Sequence, residues 1–170
     1  RLERADLDIS RMLQKACRKV MGRIEDKGMD LRQDIQPDFH YAGDARLLEK
    51  VFSNVLDNAV VYSPRGAAIT VALREGVLSV ENSGIHIEQE DLGRLFTPFY
   101  RVDKSRNRNS GGSGLGLYIT KMILDHHGIS CNMENTENGV RFTAAFLEAA
   151  TPEQSSVCMP PDGMEILTSD

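Results

Sequence analysis

RVDKSRNRNSGGSGLG, from Arg101 to Gly116, is the stretch on which the interpretation of the fold depends. It combines a basic, polar run with four glycines packed between Gly111 and Gly116, and the residues that follow turn apolar at helical spacing. Glycines let a backbone approach a ligand closely, and the free amides and dipole at a helix start favour negative charge. The pattern favours a phosphate-binding turn that opens a helix.

Two familiar phosphate motifs do not fit this stretch. A P-loop needs Lys and then Ser or Thr after its last glycine, whereas Leu117 and Tyr118 follow Gly116. A dinucleotide fingerprint needs a strand directly before its glycines, whereas a long polar, basic segment precedes these. Taken alone, the glycines would favour a surface loop before an ordinary helix, so the rest of the chain must decide.

The composition limits the class of protein. The 170 residues, 41% hydrophobic and 26% charged, suit one domain with a substantial core. A net charge of −5 argues against a nucleic-acid partner, and no apolar run approaches the length of a membrane span. Three scattered cysteines suit reduced thiols, and no zinc-ligand spacing occurs.

Hydrophobic periodicity predicts three main helices, and alternation between turn residues predicts the strands. The predicted helices start at Ile9, at Asp44 and at Leu115, with one short helix at Glu88–Leu95. The predicted strands cover residues 29–36, 39–42, 68–74, 77–82, 130–135 and 140–147. Three helices over one face of a mostly antiparallel five-stranded sheet make an α/β two-layer sandwich.

Polar side chains at two places suit a ligand site. Asn54 and Asn58 are four residues apart, so they share one face of a helix at the edge of its apolar stripe. The neutral oxygen of Asn58 suits Mg²⁺, which takes its other ligands from phosphates and water. Asn82 follows a strand, where a side-chain acceptor can bind an exocyclic amine. Polar rim asparagines and an ordinary Asn-Ser-Gly turn are the alternatives. His126 and His127 are predicted to lie on the surface.

Five segments occur in an order that resembles the catalytic, ATP-binding domain of bacterial sensor histidine kinases, of the gyrase, Hsp90, histidine kinase and MutL superfamily. VFSNVLDNAVVYS resembles the N box, VENSGIHI the G1 box, LFTPFYRVD the F box and GGSGLGLYI the G2 box. Residues 139–142 resemble the last glycine motif. Each segment alone is weak, whereas five in order make a specific signature.

This resemblance implies a Bergerat-type ATP-binding fold with a flexible lid at about residues 85–113, and ATP and Mg²⁺ as cofactors. Asn58 would bind Mg²⁺, Asn54 would lie beside the phosphates, and Lys104, Arg106 or Arg108 would reach them from the lid. The catalytic residues implied are Asn54, Asn58, Lys104 and Arg106. Asn82 would accept the adenine amine. The implied nucleotide-binding set is Asn54, Asn58, Tyr62, Asn82, Gly84, Ile87, Phe99, Arg108, Gly112, Ser113, Gly114, Leu115 and Gly116.

The chain departs from the family pattern at three positions. Asn82 stands where the G1 box usually has Asp, His86 replaces its second glycine, and Val61 stands where the N box often has Lys. An amide oxygen still accepts a hydrogen bond but lacks the strength of a carboxylate. We therefore expect ATP binding that is weaker than is usual for the family.

The resemblance also implies the organisation of a larger protein. Residues 1–8 would be the end of an upstream dimerisation helix, residues 9–148 the catalytic domain and residues 149–170 a flexible tail. None of the four histidines has the sequence context of the family's phosphoacceptor, so the acceptor would lie upstream. This segment would be monomeric and cytoplasmic without touching the membrane, within a homodimer anchored in the cell membrane.

The function implied is transfer of the ATP γ-phosphate to the upstream histidine, and from there to a response regulator. A degenerate module that binds nucleotide without transfer is the alternative, supported by Asn82, His86 and Val61. An ATPase of the gyrase or Hsp90 branch would place Glu where this chain has Asn54, and an amide cannot take a proton from water. A stand-alone serine kinase is disfavoured by the F box.

Overall fold

The computed structural model describes residues 1–102 and 114–146. Seven strands and four helices follow one another within these residues. In chain order they are β1 (Arg4–Asp8), α1 (Ile9–Asp26), β2 (Asp30–Ile35), β3 (His40–Asp44), α2 (Ala45–Tyr62), β4 (Ala68–Arg74), β5 (Val77–Ser83), α3 (Gln89–Leu92), α4 (Gly116–His127), β6 (Ser130–Asn135) and β7 (Gly139–Ala145).

A five-stranded sheet forms one layer of the fold, with strand order β2-β4-β5-β7-β6. β2 pairs in parallel with β4, and the other neighbours are antiparallel. Helices α1, α2 and α4 cover this sheet, with α2 between the other two. The predicted α/β two-layer sandwich with three main helices is confirmed.

The apolar faces of α1 and α2 explain why these segments are long helices. Each helix buries residues at three- and four-residue spacing, so its stripe packs on the sheet. The carboxylates of Asp8 and Asp44 accept the Arg11 and Leu47 amides at 3.0 and 3.2 Å, which caps both helix starts. Helix α4 ends at Gly128, whose φ of 76° is the left-handed C-cap conformation.

The structure corrects the prediction for the first eight residues. Arg4–Asp8 is a strand, β1, rather than the end of a helix, and it pairs antiparallel with β3 in a separate two-stranded sheet. The physical reason is the cap: Asp8 has extended backbone angles and closes the first turn of α1, so the helix begins only at Ile9. The backbone amides and carbonyls of β1 then hydrogen-bond with those of β3.

Two further differences concern boundaries. The short helix α3 covers only Gln89–Leu92, because Gly93 follows it and none of its residues is buried. β3 belongs to the two-stranded sheet with β1 and not to the main sheet. The predicted tail at 149–170 lies outside the described residues. In the part of the chain that is described, no helix has both the length and the apolar character needed to cross a bilayer.

Candidate functional site

A cavity of about 520 Å³ opens between α2, the end of β5, the segment around α3 and the start of α4. Its floor is apolar and comes from the sheet, including Val80, Val140 and Phe142. Polar groups stand at its rim on α2 and β5. A cavity of this size, apolar with a few convergent polar groups, is typical of sites for small molecules and cofactors.

Helix α2 places Asn54 and Asn58 on its cavity side, where both are half-buried. Asn54 Nδ2 donates to the Gly116 carbonyl at 3.3 Å, which ties α2 to the first turn of α4. Asp57 also lines the cavity, and Arg23 of α1 pairs with its carboxylate. The predicted shared face of the two asparagines is therefore present, and it meets the start of the helix that follows the glycines.

Asn82 lies at the end of β5, with only 7% of its surface exposed, and it lines the cavity. Its Nδ2 donates to Ser63 Oγ at 3.1 Å, and Ser63 Oγ donates to the Ala59 carbonyl at 2.5 Å. Ser63 is the C-cap of α2 and is 2% exposed. The end of α2 thus holds the side chain of Asn82 through a buried chain of hydrogen bonds.

Backbone pairing by Asn135 orders the segment after β5. Asn135 Oδ1 accepts the Ile87 amide at 2.9 Å, and Asn135 Nδ2 donates to the Ile87 carbonyl at 2.6 Å. Ile87 is buried with Leu95 and Val140 in a small apolar cluster beside the cavity. The Asn135 side chain of β6 therefore pairs with both the amide and the carbonyl of Ile87, a residue of the predicted nucleotide-binding set.

Gly84 and Gly139 are required where β5 ends. A Cβ on Gly139 would lie 1.9 Å from the Asn82 carbonyl oxygen, so no side chain fits there. Gly84 has a φ of 78°, and a Cβ on it would lie 2.9 Å from Pro64 Cγ. Both glycines allow the backbone to turn closely beside Asn82, although Gly84 itself does not line the cavity.

Phe99 and Gly114 bracket the basic segment. The Phe99 amide donates to the Gly114 carbonyl at 3.1 Å, and a Cβ on Gly114 would lie 2.9 Å from the Phe99 backbone. The Phe99 side chain is 70% exposed and is not part of the cavity lining. Tyr100 does line the cavity, and its hydroxyl donates to Asp91, which raises the pKa of Tyr100.

The structure brings together most of the predicted binding residues that it describes. Three described members of the predicted set do not line the cavity: Gly84, Phe99 and Leu115, which is the N-cap residue of α4. Five predicted residues lie outside the described ranges: Lys104, Arg106, Arg108, Gly112 and Ser113. The predicted residues that line the cavity are Asn54, Asn58, Tyr62, Asn82, Ile87, Gly114 and Gly116.

Sequence reasoning missed Ser63 and Asn135, which hold site residues without lining the cavity. In the sequence, Ser63 is only the last residue of the segment that resembles the N box, and no local pattern singles out Asn135. The prediction that His127 lies on the surface is wrong, since it is 4% exposed. Its Nε2 accepts the Asp44 amide at 3.0 Å, and its carbonyl accepts the Tyr41 hydroxyl at 2.8 Å. These bonds make His127 a link between α4 and β3.

The donor set fits a cation held mainly by a nucleotide. Residues 1–102 and 114–146 contain no group of three His, Cys, Asp or Glu side chains placed to hold a metal ion. Asn58 supplies a neutral oxygen at the cavity rim. Mg²⁺ usually keeps several waters and binds through one or two protein groups plus phosphates, so a single amide oxygen is compatible with it.

Comparison with known proteins finds one matching family. The family described as histidine kinase-, DNA gyrase B-, and HSP90-like ATPase matches residues 43–150. The sensor protein VanSB of Enterococcus faecalis is 37% identical over 140 residues, which is 80% of this chain and 31% of VanSB. The chain spans about a third or less of the length of the curated relatives that head the comparison.

Solved structures show the same fold. The catalytic domain of histidine kinase ThkA is 25% identical, with a TM-score of 0.74 over 85% of this chain and 97% of that domain. ThkA in complex with the response regulator protein TrrA is also 25% identical, with a TM-score of 0.69. That match covers 85% of this chain and 42% of the ThkA chain.

Proposed function

The chain belongs to the family of histidine kinase-, DNA gyrase B-, and HSP90-like ATPases, and we propose that it is the ATP-binding catalytic domain of a sensor histidine kinase. One observation carries the proposal: Asn54, Asn58 and Asn82 line one cavity that also reaches Gly114 and Gly116. The family's description as ATPases supports the use of ATP. The relatives named as sensor proteins support the choice of the kinase branch.

The residues of the cavity divide into three roles. Asn82 would accept the exocyclic amine of adenine, above the apolar floor that receives the base. Asn58 would hold Mg²⁺, which neutralises phosphate charge when it is bound. Gly114 and Gly116 would let the backbone approach the phosphates at the start of α4, where the helix dipole favours anions. Lys104, Arg106 and Arg108, with Gly112 and Ser113, remain proposals from the sequence for the phosphate side.

The reaction would be phosphoryl transfer to a histidine of an upstream dimerisation domain. The bond between the γ-phosphorus and its bridging oxygen breaks with its electron pair going to that oxygen, a phosphorus–nitrogen bond forms on the imidazole, whose other nitrogen releases its proton to water, and ADP leaves. Such a transfer depends on positioning and charge neutralisation rather than on covalent help from the enzyme. The chain's part is therefore to hold the nucleotide and its metal in place.

The partners follow from this reaction. We propose that the phosphohistidine passes its phosphoryl group to a response regulator, as the complex of ThkA with the response regulator TrrA supports. The catalytic segment would be cytoplasmic, where ATP is available, and monomeric on its own. The whole protein would be a homodimer anchored in the cell membrane. Residues 9–148 would form the catalytic domain, with the lid at about 85–113.

Steady hydrolysis of ATP is not expected from this cavity. Asn54, whose Nδ2 donates to the Gly116 carbonyl at 3.3 Å, would be the residue of α2 beside the phosphates. An amide does not accept a proton from water at neutral pH, so the site lacks a general base at that position. Transfer to a protein nucleophile would then be favoured over transfer to water.

Calorimetric titration with ATP and ADP, with and without Mg²⁺, tests the binding site. We expect ATP binding that Mg²⁺ strengthens, and an Asn58→Ala variant that loses this strengthening. Ser53→Ala is the matched control, because Ser53 lies on the same helix, is exposed and does not line the cavity. Absence of binding at millimolar nucleotide, or an equal loss in both variants, would contradict the proposal.

Transfer is tested in a longer protein that includes the proposed upstream dimerisation domain, a helical hairpin that would carry the acceptor histidine. Incubation with γ-labelled ATP should produce an acid-labile, base-stable phosphohistidine on the hairpin. Replacing the hairpin histidine with Gln should abolish the label without changing nucleotide affinity. Normal binding with no phosphohistidine would instead assign the chain to nucleotide-binding modules that do not transfer phosphate.

A further inference from the structure

Ser63 stands behind Asn82 and faces it from the end of α2. We propose that Ser63 is a specificity-determining residue: it fixes the amide of Asn82 with its oxygen toward the cavity, so that the site selects 6-aminopurine over 6-oxopurine nucleotides. The inference rests on the proposed function, in which Asn82 contacts the base. It concerns the orientation of the amide, which an Asp at this position would not need.

The orientation follows from where the Ser63 proton lies. Ser63 Oγ is 2.5 Å from the Ala59 carbonyl oxygen. A carbonyl oxygen has no proton, so a contact of this length requires Ser63 to donate its only hydroxyl proton to Ala59. Toward Asn82, which lies 3.1 Å away, Ser63 is then an acceptor only. The Asn82 atom that faces it must be the NH₂ group, since two facing acceptors would repel.

The opposite side of the amide is therefore an acceptor. Within residues 1–102 and 114–146, no hydrogen bond uses Asn82 Oδ1, and Asn82 lines the cavity. An oxygen there accepts a hydrogen bond from a 6-amino group, but it faces the carbonyl oxygen of a 6-oxopurine unfavourably. A freely rotating asparagine would turn its NH₂ group toward a 6-oxopurine and its oxygen toward a 6-aminopurine, so it would bind both kinds of nucleotide. The hydrogen bond from Asn82 Nδ2 to Ser63 Oγ prevents this rotation.

Buried, well-connected backbone keeps Ser63 in place. The Ser63 amide donates to the Ala59 carbonyl at 3.2 Å, so the same oxygen accepts both bonds from Ser63. Lys27 Nζ donates to the carbonyls of Val60 and Ser63, both at 2.6 Å. With Ser63 2% exposed, no water competes for its hydroxyl. A flip of the Asn82 amide would leave the buried Ser63 oxygen facing a second acceptor, which disfavours the flipped orientation.

The test compares affinities for ATP and ITP, which differ in the 6-substituent, in four proteins: the unaltered chain, Ser63→Ala, Asn82→Asp and the double variant. We expect the unaltered chain to prefer ATP by roughly fivefold to 150-fold, which is the range for one buried polar group left unpaired. Ser63→Ala should reduce this preference several-fold, mainly by tighter binding of ITP. With Asp at position 82, where both oxygens accept, Ser63→Ala should leave the preference unchanged.

Equal ATP-to-ITP ratios in the unaltered chain and in Ser63→Ala would overturn the role of Ser63 while leaving nucleotide binding intact. An equal effect of Ser63→Ala in the Asn82 and Asp backgrounds would also overturn it, because it would indicate a merely structural role. Failure of the unaltered chain to bind either nucleotide would overturn the proposed function and this inference together.

A second measurement needs no variant and so does not depend on whether Ser63→Ala folds. In the ¹⁵N-labelled chain without nucleotide, one Asn82 side-chain amide proton should exchange with solvent slowly, since it is bonded to buried Ser63. The exposed Asn132 side chain supplies the reference for fast exchange. Equally fast exchange of both Asn82 amide protons would contradict the proposed orientation.

Discussion

Two walls of the cavity are held by different forces. The helix wall is the cavity side of α2, which carries Asn54 and Asn58 on a helix that buries seven residues in the main core. The loop wall is residues 84–102, whose buried apolar residues, Ile87 and Leu95, form a small separate cluster with Val140. The loop wall depends instead on directed polar contacts and on glycines that admit close backbone approach.

This difference separates stability from function in the two walls. Burial of a helix face stabilises the fold in proportion to the apolar area that it removes from water. A substitution on the buried face of α2 therefore lowers the stability of the whole domain. The loop wall buries little, and its geometry comes from Asn135 on Ile87 and from Gly114 against Phe99. Changes there should alter the site more than the free energy of unfolding. The following predictions test this contrast.

The largest expected effect is on the core face of α2, the helix that carries the helix wall. Phe52 is 1% exposed and packs against Phe146 with ring centroids 6.1 Å apart. Phe52→Ala should lower the free energy of unfolding by about 3–5 kcal/mol, through lost burial and the cavity left behind. Urea denaturation measures it. Phe99→Ala in the loop wall is the matched control, and it should change stability by no more than about 0.5 kcal/mol because Phe99 is 70% exposed.

Gly139→Ala should have the next largest effect, where the sheet meets the site. Its Cβ would overlap the Asn82 carbonyl oxygen, so the ends of β5 and β7 must separate. We expect a loss of about 1–3 kcal/mol in stability together with weaker ATP binding. Gly22→Ala is the control: nothing lies within 4 Å of the added Cβ in helix α1, so stability should rise slightly. Two equal losses would contradict the steric explanation.

Asn135→Ala should affect both stability and ATP affinity through the loop wall. It removes both hydrogen bonds to Ile87, and we expect about 1–2 kcal/mol less stability. ATP affinity should fall as well, because Ile87 lines the cavity. Asn132→Ala, an exposed position on the same strand, should change neither quantity. An unchanged ATP affinity in Asn135→Ala would show that the loop wall is positioned without this clamp.

The smallest expected effect is a pH dependence of stability at the start of α2, ten residues before Asn54. Backbone hydrogen bonds from Glu3 and then Leu47 lower the pKa of Asp44, the N-cap of α2. A depressed carboxyl pKa contributes stability above the ordinary value of about 4 and loses it as pH falls through the folded-state pKa. Asp44→Asn keeps a cap without this titration, so its unfolding free energy should fall less between pH 5 and 3. An equal fall of unfolding free energy in the unaltered chain and in Asp44→Asn would contradict the role given to the Asp44 carboxylate.

The sequence predicted the main elements because local patterns determine them. Helical spacing, alternation and turn glycines identified α1, α2, α4 and the hairpins to within a few residues, although several boundaries shifted. Asn54 and Asn58 were placed correctly on one helix face because the helix period alone decides that. The first eight residues were assigned wrongly, since strand pairing of Arg4–Asp8 depends on a partner, β3, more than thirty residues away.

Helical and strand periods are short and regular, so the sequence alone was enough for the fold class, and its resemblance to a known family indicated which residues to look for around the cavity. How those residues are held became visible only in the three-dimensional structure. The contact between Ser63 and Asn82 joins residues 19 apart, the Asn135 clamp spans 48 residues, and the bond from Asp44 to His127 spans 83. Such bonds depend on which elements become neighbours, and neighbours are chosen by packing rather than by local pattern.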